Sequence, residues 1–136
     1  MMHLKRSLNF LFFAVCLSSV GTVLADTADL YKFSELPVKG VVTMIDLGAE
    51  KCVPCKMMAP ILAELKETYA GVMTVEFIDV WKDPAAAQPY GIRVIPTQIF
   101  FSTDGTELFR HEGFMPREAI LAKWRELGVT LPDKEA

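Results

Sequence analysis

The apolar positions change period several times along this chain, and each change marks an element. Residues 41–47, VVTMIDL, form a nearly unbroken apolar run, the pattern of a central strand buried on both faces, with Asp46 as its anomaly. Over residues 52–69 good helix formers predominate. Ile61, Leu62, Leu65 and Tyr69 recur there at three- and four-residue intervals, which predicts one apolar helix face. Gly71 stands just past the end, where a left-handed cap is expected, and Pro60 inside the helix must bend it. Residues 74–80 predict a second strand, and residues 83–88 a short helix with Pro84 in its first turn. Strands at 97–101 and 107–111 are joined across Thr103-Asp104-Gly105-Thr106, where Asp-Gly favours the positive backbone angles of a tight hairpin turn. The last helix is expected from Pro116, at its first helical position, to Leu127, with Gly128 as its stop. Its stripe of Ile120, Trp124 and Leu127 faces the core, and Trp124 reads as a packing residue rather than a ligand platform. Short strands alternating with helices make the fold class α/β.

The first 25 residues follow a different logic. Lys5 and Arg6 precede an apolar stretch from residue 8 to residue 20, and Val23-Leu24-Ala25 precedes Asp26, the anatomy of a cleaved secretory signal. An uncleaved membrane anchor is the rival reading, because the apolar stretch is near the lower length limit for crossing a bilayer. Cys16 reads as an apolar signal residue, since Val15 before it is bulkier than lipoprotein processing prefers. The division expected is therefore a signal peptide at 1–25 and a single domain at 26–136, exported to the periplasm or another extracytoplasmic space.

Composition narrows the function. The chain has 136 residues, 51% of them apolar, enough for one packed core and no more than one domain. Without Lys5 and Arg6 the 14 basic residues fall to 12, against 17 acidic ones, and no basic run interleaved with aromatics occurs. Nucleic acid is therefore not an expected partner. A monomer is expected.

Cys52 and Cys55 are the only cysteines after residue 25, too few for the disulfide framework of a small secreted domain. Structural zinc usually needs four Cys or His ligands, and His111 is the only histidine available to join them, so no metal is expected. Covalent haem attachment requires His after the second cysteine, where this chain has Lys56. A disulfide closing so small a loop adds little by constraining the unfolded chain. Redox chemistry remains. Spacing of three at a helix start places both sulfurs on one face, with Cys52 near the orphan N–H groups that favour a thiolate. Cys52 is then the nucleophile, and Cys55, one turn in, resolves the mixed disulfide. No cofactor beyond the Cys52–Cys55 couple is expected.

IDLGAEKCVPCKMMAP, residues 45–60, resembles the active-site strand and helix of the thioredoxin family, and YGIRVIPT, residues 90–97, resembles its second signature, a loop carrying a cis-proline opposite the cysteines. The resemblance implies a thioredoxin-like fold, a central mixed β-sheet flanked by helices. It also implies a cis Pro96, with Ile95 offering its backbone to an extended substrate segment beside an apolar surface of Val53, Pro54, Val94, Gly113 and Phe114. Asp46, which by itself could be a strand-end residue pointing to water, corresponds to a buried carboxylate behind the second cysteine, whose raised pKa lets it accept and return a proton. Departures accompany the likeness. Gly48 and Lys51 replace flanking tryptophans, Val53 replaces a glycine, and Phe77 takes the place of a buried lysine. Trp81 either refills the lost aromatic volume or packs in the ordinary core.

The function expected is an exported thiol–disulfide oxidoreductase that reduces disulfide-bearing client proteins and is recharged by a membrane thiol–disulfide electron donor. Pro54, Asp46 and Ile95 favour a reductant over a disulfide oxidase or isomerase. Paired thiolates also suit copper(I), so a non-catalytic copper- or client-binding module is the alternative from another class.

Overall fold

The computed structural model describes residues 35–132. The signal peptide expected at 1–25, with Cys16, and the boundary expected after residue 25 lie outside the described residues.

Strand β1, Val42–Gly48, is buried at every position, as its apolar run demands. It leads into helix α1, Val53–Thr68, whose N-cap is Cys52 with Pro54 in the first turn. The helix is continuous through Pro60, and its inner face is Cys55, Met58, Leu62 and Leu65. Strand β2, Met73–Asp79, follows, then the short helix α2, Pro84–Ala87, and a single 3-10 turn, Gln88–Tyr90. Asp83 caps α2, its Oδ1 accepting from Ala86 N at 2.9 Å. Strands β3, Thr97–Phe101, and β4, Glu107–Glu112, precede helix α3, Arg117–Glu126. Pro116 is the N-cap of α3 rather than its first helical residue, one position earlier in role than expected.

The sheet order is β2-β1-β3-β4, with β1 parallel to β2 and antiparallel to β3, and β3 antiparallel to β4. The sheet is mixed, as expected. The β3–β4 connection differs from a two-residue turn. Gly105 alone takes a positive φ, 88°, and Asp104 instead serves as an acceptor, its Oδ1 receiving Thr106 N at 2.9 Å. A register irregularity between Phe100 and Phe101 absorbs the longer connection.

Each face of the sheet has its own core. Met44 and Phe100 pack with Met58, Leu62 and Leu65 of α1 and with Ile120 and Trp124 of α3. Ile45, Leu47, Ile78, Ile99 and Phe101 pack with Ala87 of α2 on the other face. Phe100 and Trp124 are tilted against each other with ring centroids 4.8 Å apart. Trp81 is not part of either core: it is 61% exposed, which overturns the core-packing role expected for it, and it lines a shallow surface recess with Glu50 and Lys51.

Trp124 is fully buried and its Nε1 has no partner among the described residues. Trp124→Ala is therefore expected to cost about 3–5 kcal/mol of stability. Trp124→Phe, which keeps the aromatic packing and strands no donor, should cost markedly less. Urea denaturation of the two variants measures the difference.

Candidate functional site

The site is built where β1 ends and α1 begins. The chain leaves the sheet at Gly48, and Cys52 closes a turn by donating its N–H to Ala49 O at 3.1 Å. Cys52 then takes an extended conformation, φ −85° and ψ 125°, which lets its sulfur sit over the first helical turn. Cys52 Sγ accepts from Cys55 N at 3.4 Å, so a backbone donor of the helix end is already aimed at the sulfur. Asp79, the last residue of β2, holds the turn. Its Oδ2 accepts from Glu50 N at 3.1 Å, and its Oδ1 accepts from Trp81 N and Lys82 N at 3.0 and 3.1 Å.

Cys52 and Cys55 form a disulfide, with Cα atoms 5.2 Å apart. Their environments differ: Cys52 is half-buried, whereas Cys55 is only 3% exposed. The Ile95–Pro96 bond is cis, as expected, and a second cis bond, Leu36–Pro37, was not. Gly113 N donates to Pro96 O at 2.8 Å, which joins the start of the β4–α3 loop to the cis-proline loop. Around this centre Val53 is 70% exposed, Val94 and Phe114 are exposed, and Pro54, Ile95 and Gly113 are half-buried. Met57, also exposed, enlarges the apolar rim and was missed, because at helical spacing it reads like its buried neighbour Met58.

Asp46 is fully buried, not turned to water. Its Oδ1 accepts from Gln98 Nε2 at 2.6 Å, and its Oδ2 has no partner among the described residues. Burial pushes its pKa up from 3.8 to about 6, and the bond from Gln98 works against that rise. Asp46 and Gly48 lie on the same face of β1, and a Cβ built on Gly48 would lie 3.1 Å from Cys55 Sγ. The same Cβ would meet the Phe77 ring at 2.9 Å, so Phe77, not Trp81, occupies space beside the glycine. Next to Cys55 a groove of about 480 Å³ opens between α1 and β2, floored by Ala59, Leu62, Val75 and Phe77. Among the described residues no three His, Cys, Asp or Glu side chains are grouped to hold a metal.

The thioredoxin family model matches residues 28–126. Thioredoxins of Staphylococcus aureus strains Mu50 / ATCC 700699 and MW2 are each 40% identical over 83 residues, 61% of this chain and 79% of theirs. Among solved structures, one described as a malarial protein superposes with a TM-score of 0.60 at 21% identity, over 65% of this chain and 99% of that one, a likeness of fold.

Between pH 3.8 and about 6 the folded protein binds the Asp46 proton more tightly than the unfolded chain does, so the stability this group contributes is lost as pH rises through that window. Asp46→Asn stays neutral and keeps an acceptor for Gln98. The oxidised variant is expected to be more stable than the parent by about 3 kcal/mol above about pH 7, a gain that vanishes below about pH 4. Thermal unfolding at the two pH values checks both halves.

Proposed function

Because the chain belongs to the thioredoxin family and is a thiol–disulfide oxidoreductase, we propose that it works as an exported reductant of client protein disulfides. The observation that carries this reading is the Cys52–Cys55 disulfide capping α1, with its nucleophilic sulfur outward and an unpaired, buried carboxyl oxygen behind the sheet end.

In the proposed cycle the reduced protein offers Cys52 as a thiolate, stabilised by the N–H of Cys55 and the positive end of α1. The thiolate attacks one sulfur of a client disulfide, the client S–S bond breaks, and one client thiolate leaves. Ile95, Val53, Pro54, Gly113 and Phe114 form the surface on which an extended client segment rests beside Pro96. Asp46, ionised above about pH 6, takes the proton of Cys55. Cys55 then attacks Cys52 Sγ and releases the second client thiolate, which recovers a proton. Two electrons have moved to the client, and the Cys52–Cys55 disulfide is restored. A dithiol donor must reduce it again. In an oxidising compartment a membrane thiol–disulfide protein meets that need, and the leader-like residues 1–25 support export.

Direction follows from the charges near the couple. The Val53-Pro54 pair places no cation between the cysteines, and an ionised Asp46 opposes further negative charge beside them, so the disulfide form is favoured; Lys51 beside Cys52 pulls the other way, but its exposed charge is largely screened. The reduction potential is expected to be more negative than about −200 mV, on the reducing side of protein disulfide isomerase. Equilibration with glutathione measures it, and a value near about −120 mV would instead identify an oxidant.

Cys55→Ser is expected to accumulate mixed disulfides with clients through Cys52, and Cys52→Ser to accumulate few. Asp46→Asn should slow insulin reduction at neutral pH by about 10²-fold, the low end for loss of a general base. Equal trapping by both serine variants would overturn the roles of the cysteines, and absence of insulin reduction by the parent would favour a binding module.

A further inference from the structure

Backbone register places Asp46 in a row of side chains. It stands opposite Gln98 in the β1–β3 ladder, beside Phe77 in the β1–β2 ladder, and Gln98 in turn stands opposite His111 in the β3–β4 ladder. Facing residues of neighbouring strands share one face of a sheet, so Phe77, Asp46, Gln98 and His111 cross the sheet in one line under α1. Phe77 brings no polar atom. His111 lies at the far end, half-buried, with Nε2 3.3 Å from Phe114 O, and α1 presents Cys55 near the same face at Gly48. The residues of α3 packed on this core, Ile120 and Trp124, are uncharged. Of the charged groups on the packed helices, Lys123 of α3 sits over the Phe109 ring, Arg117 of α3 pairs with Glu64 of α1, and Lys56 of α1 lines the groove beside Cys55 and Phe77, while the hydrogen bond to the carboxyl comes from Gln98.

We infer that Gln98 is the positioning residue for proton exchange at Asp46: its amide holds Oδ1, fixes the plane of the carboxyl group, and leaves Oδ2 as the oxygen that takes up and returns the proton. The inference rests on the reading of Asp46 as the base for Cys55. Two observations support it independently of sequence pattern. Gln98 is itself fully buried, so its bond to Asp46 is shielded from water and strong. Among the described residues its Oε1 and Asp46 Oδ2 are the two buried oxygens of the pair without partners, an arrangement that costs stability and has no packing benefit over an apolar side chain of equal size. A neutral donor is also suited to the task. A cation in its place would hold the carboxyl ionised far below neutrality, whereas an amide offsets part of the burial penalty and leaves the group able to titrate.

The test uses Gln98→Met, which keeps length and volume but removes the donor, alongside Asp46→Asn and the double variant, all in the full chain. Carbon NMR of the side-chain carboxyls follows Asp46, assigned by its absence in Asp46→Asn. The inference expects the Asp46 midpoint in Gln98→Met to move up by about one unit, the difference expected from losing one hydrogen bond to a charged group. The acid limb of kcat for insulin reduction should move up with it, KM should be unchanged, and Gln98→Met should have no added effect on the profile in the Asp46→Asn background. An unmoved midpoint, or an equal loss of rate at every pH, overturns the inference and returns Gln98 to a structural role. If instead Asp46→Asn has the parent's pH profile, the base assignment itself fails, and Gln98 loses its part in the reaction even where the NMR midpoint still moves.

Discussion

Burial of β1 on both faces is the constraint from which the rest of the molecule follows. A strand with no exposed position needs a partner strand on each edge and a helical layer on each face, and β2, β3, α1 with α3, and α2 supply these. The same burial excludes water from Asp46, which makes its charge costly and its proton mobile near neutrality. It also fixes where the chain must emerge. The first residues free of the sheet are those of the turn into α1, so Cys52 arrives at the surface on a rigid stem while Cys55 remains under it.

The polar interior and the apolar rim around the cysteines are thus separated by depth. The outer layer, Val53, Met57, Val94 and Phe114, is apolar and accessible. The inner layer, Asp46 with Gln98, is polar and closed. Between them the two sulfurs span the boundary, Cys52 half-buried and Cys55 buried, and in the proposed cycle exchange of a proton inside accompanies exchange of a disulfide outside.

Much of this could be read from the chain, because periodicity reports burial directly. The run 41–47 with Asp46 inside it, the Ile61-to-Tyr69 stripe and the Ile120–Trp124 pair all found their faces, and the Cys-Val-Pro-Cys spacing at a helix start found the chemistry. What could not be read is pairing between distant segments. Gln98 sits in the apolar run Thr97–Phe101, as Asp46 does in its own, and two polar residues in buried strands are a signal that each needs the other. Only the β1–β3 register joins them. Trp81 misled for the converse reason. An aromatic residue after an apolar strand is usually core, but here Asp79 has already turned the backbone by accepting Trp81 N, and the side chain is outside.

The contact between Gly48 and Phe77 has a consequence for how such a chain can change over generations. A side chain added at position 48 meets the Phe77 ring and Cys55 before anything has moved, while a small residue placed first at 77 would empty part of the space beside the buried sulfur. Each single step is therefore penalised, although the joint exchange of both residues need not be. The two positions form an epistatic pair, and the order in which substitutions arrive, not only their identity, governs which active-site surroundings a lineage of this protein can reach.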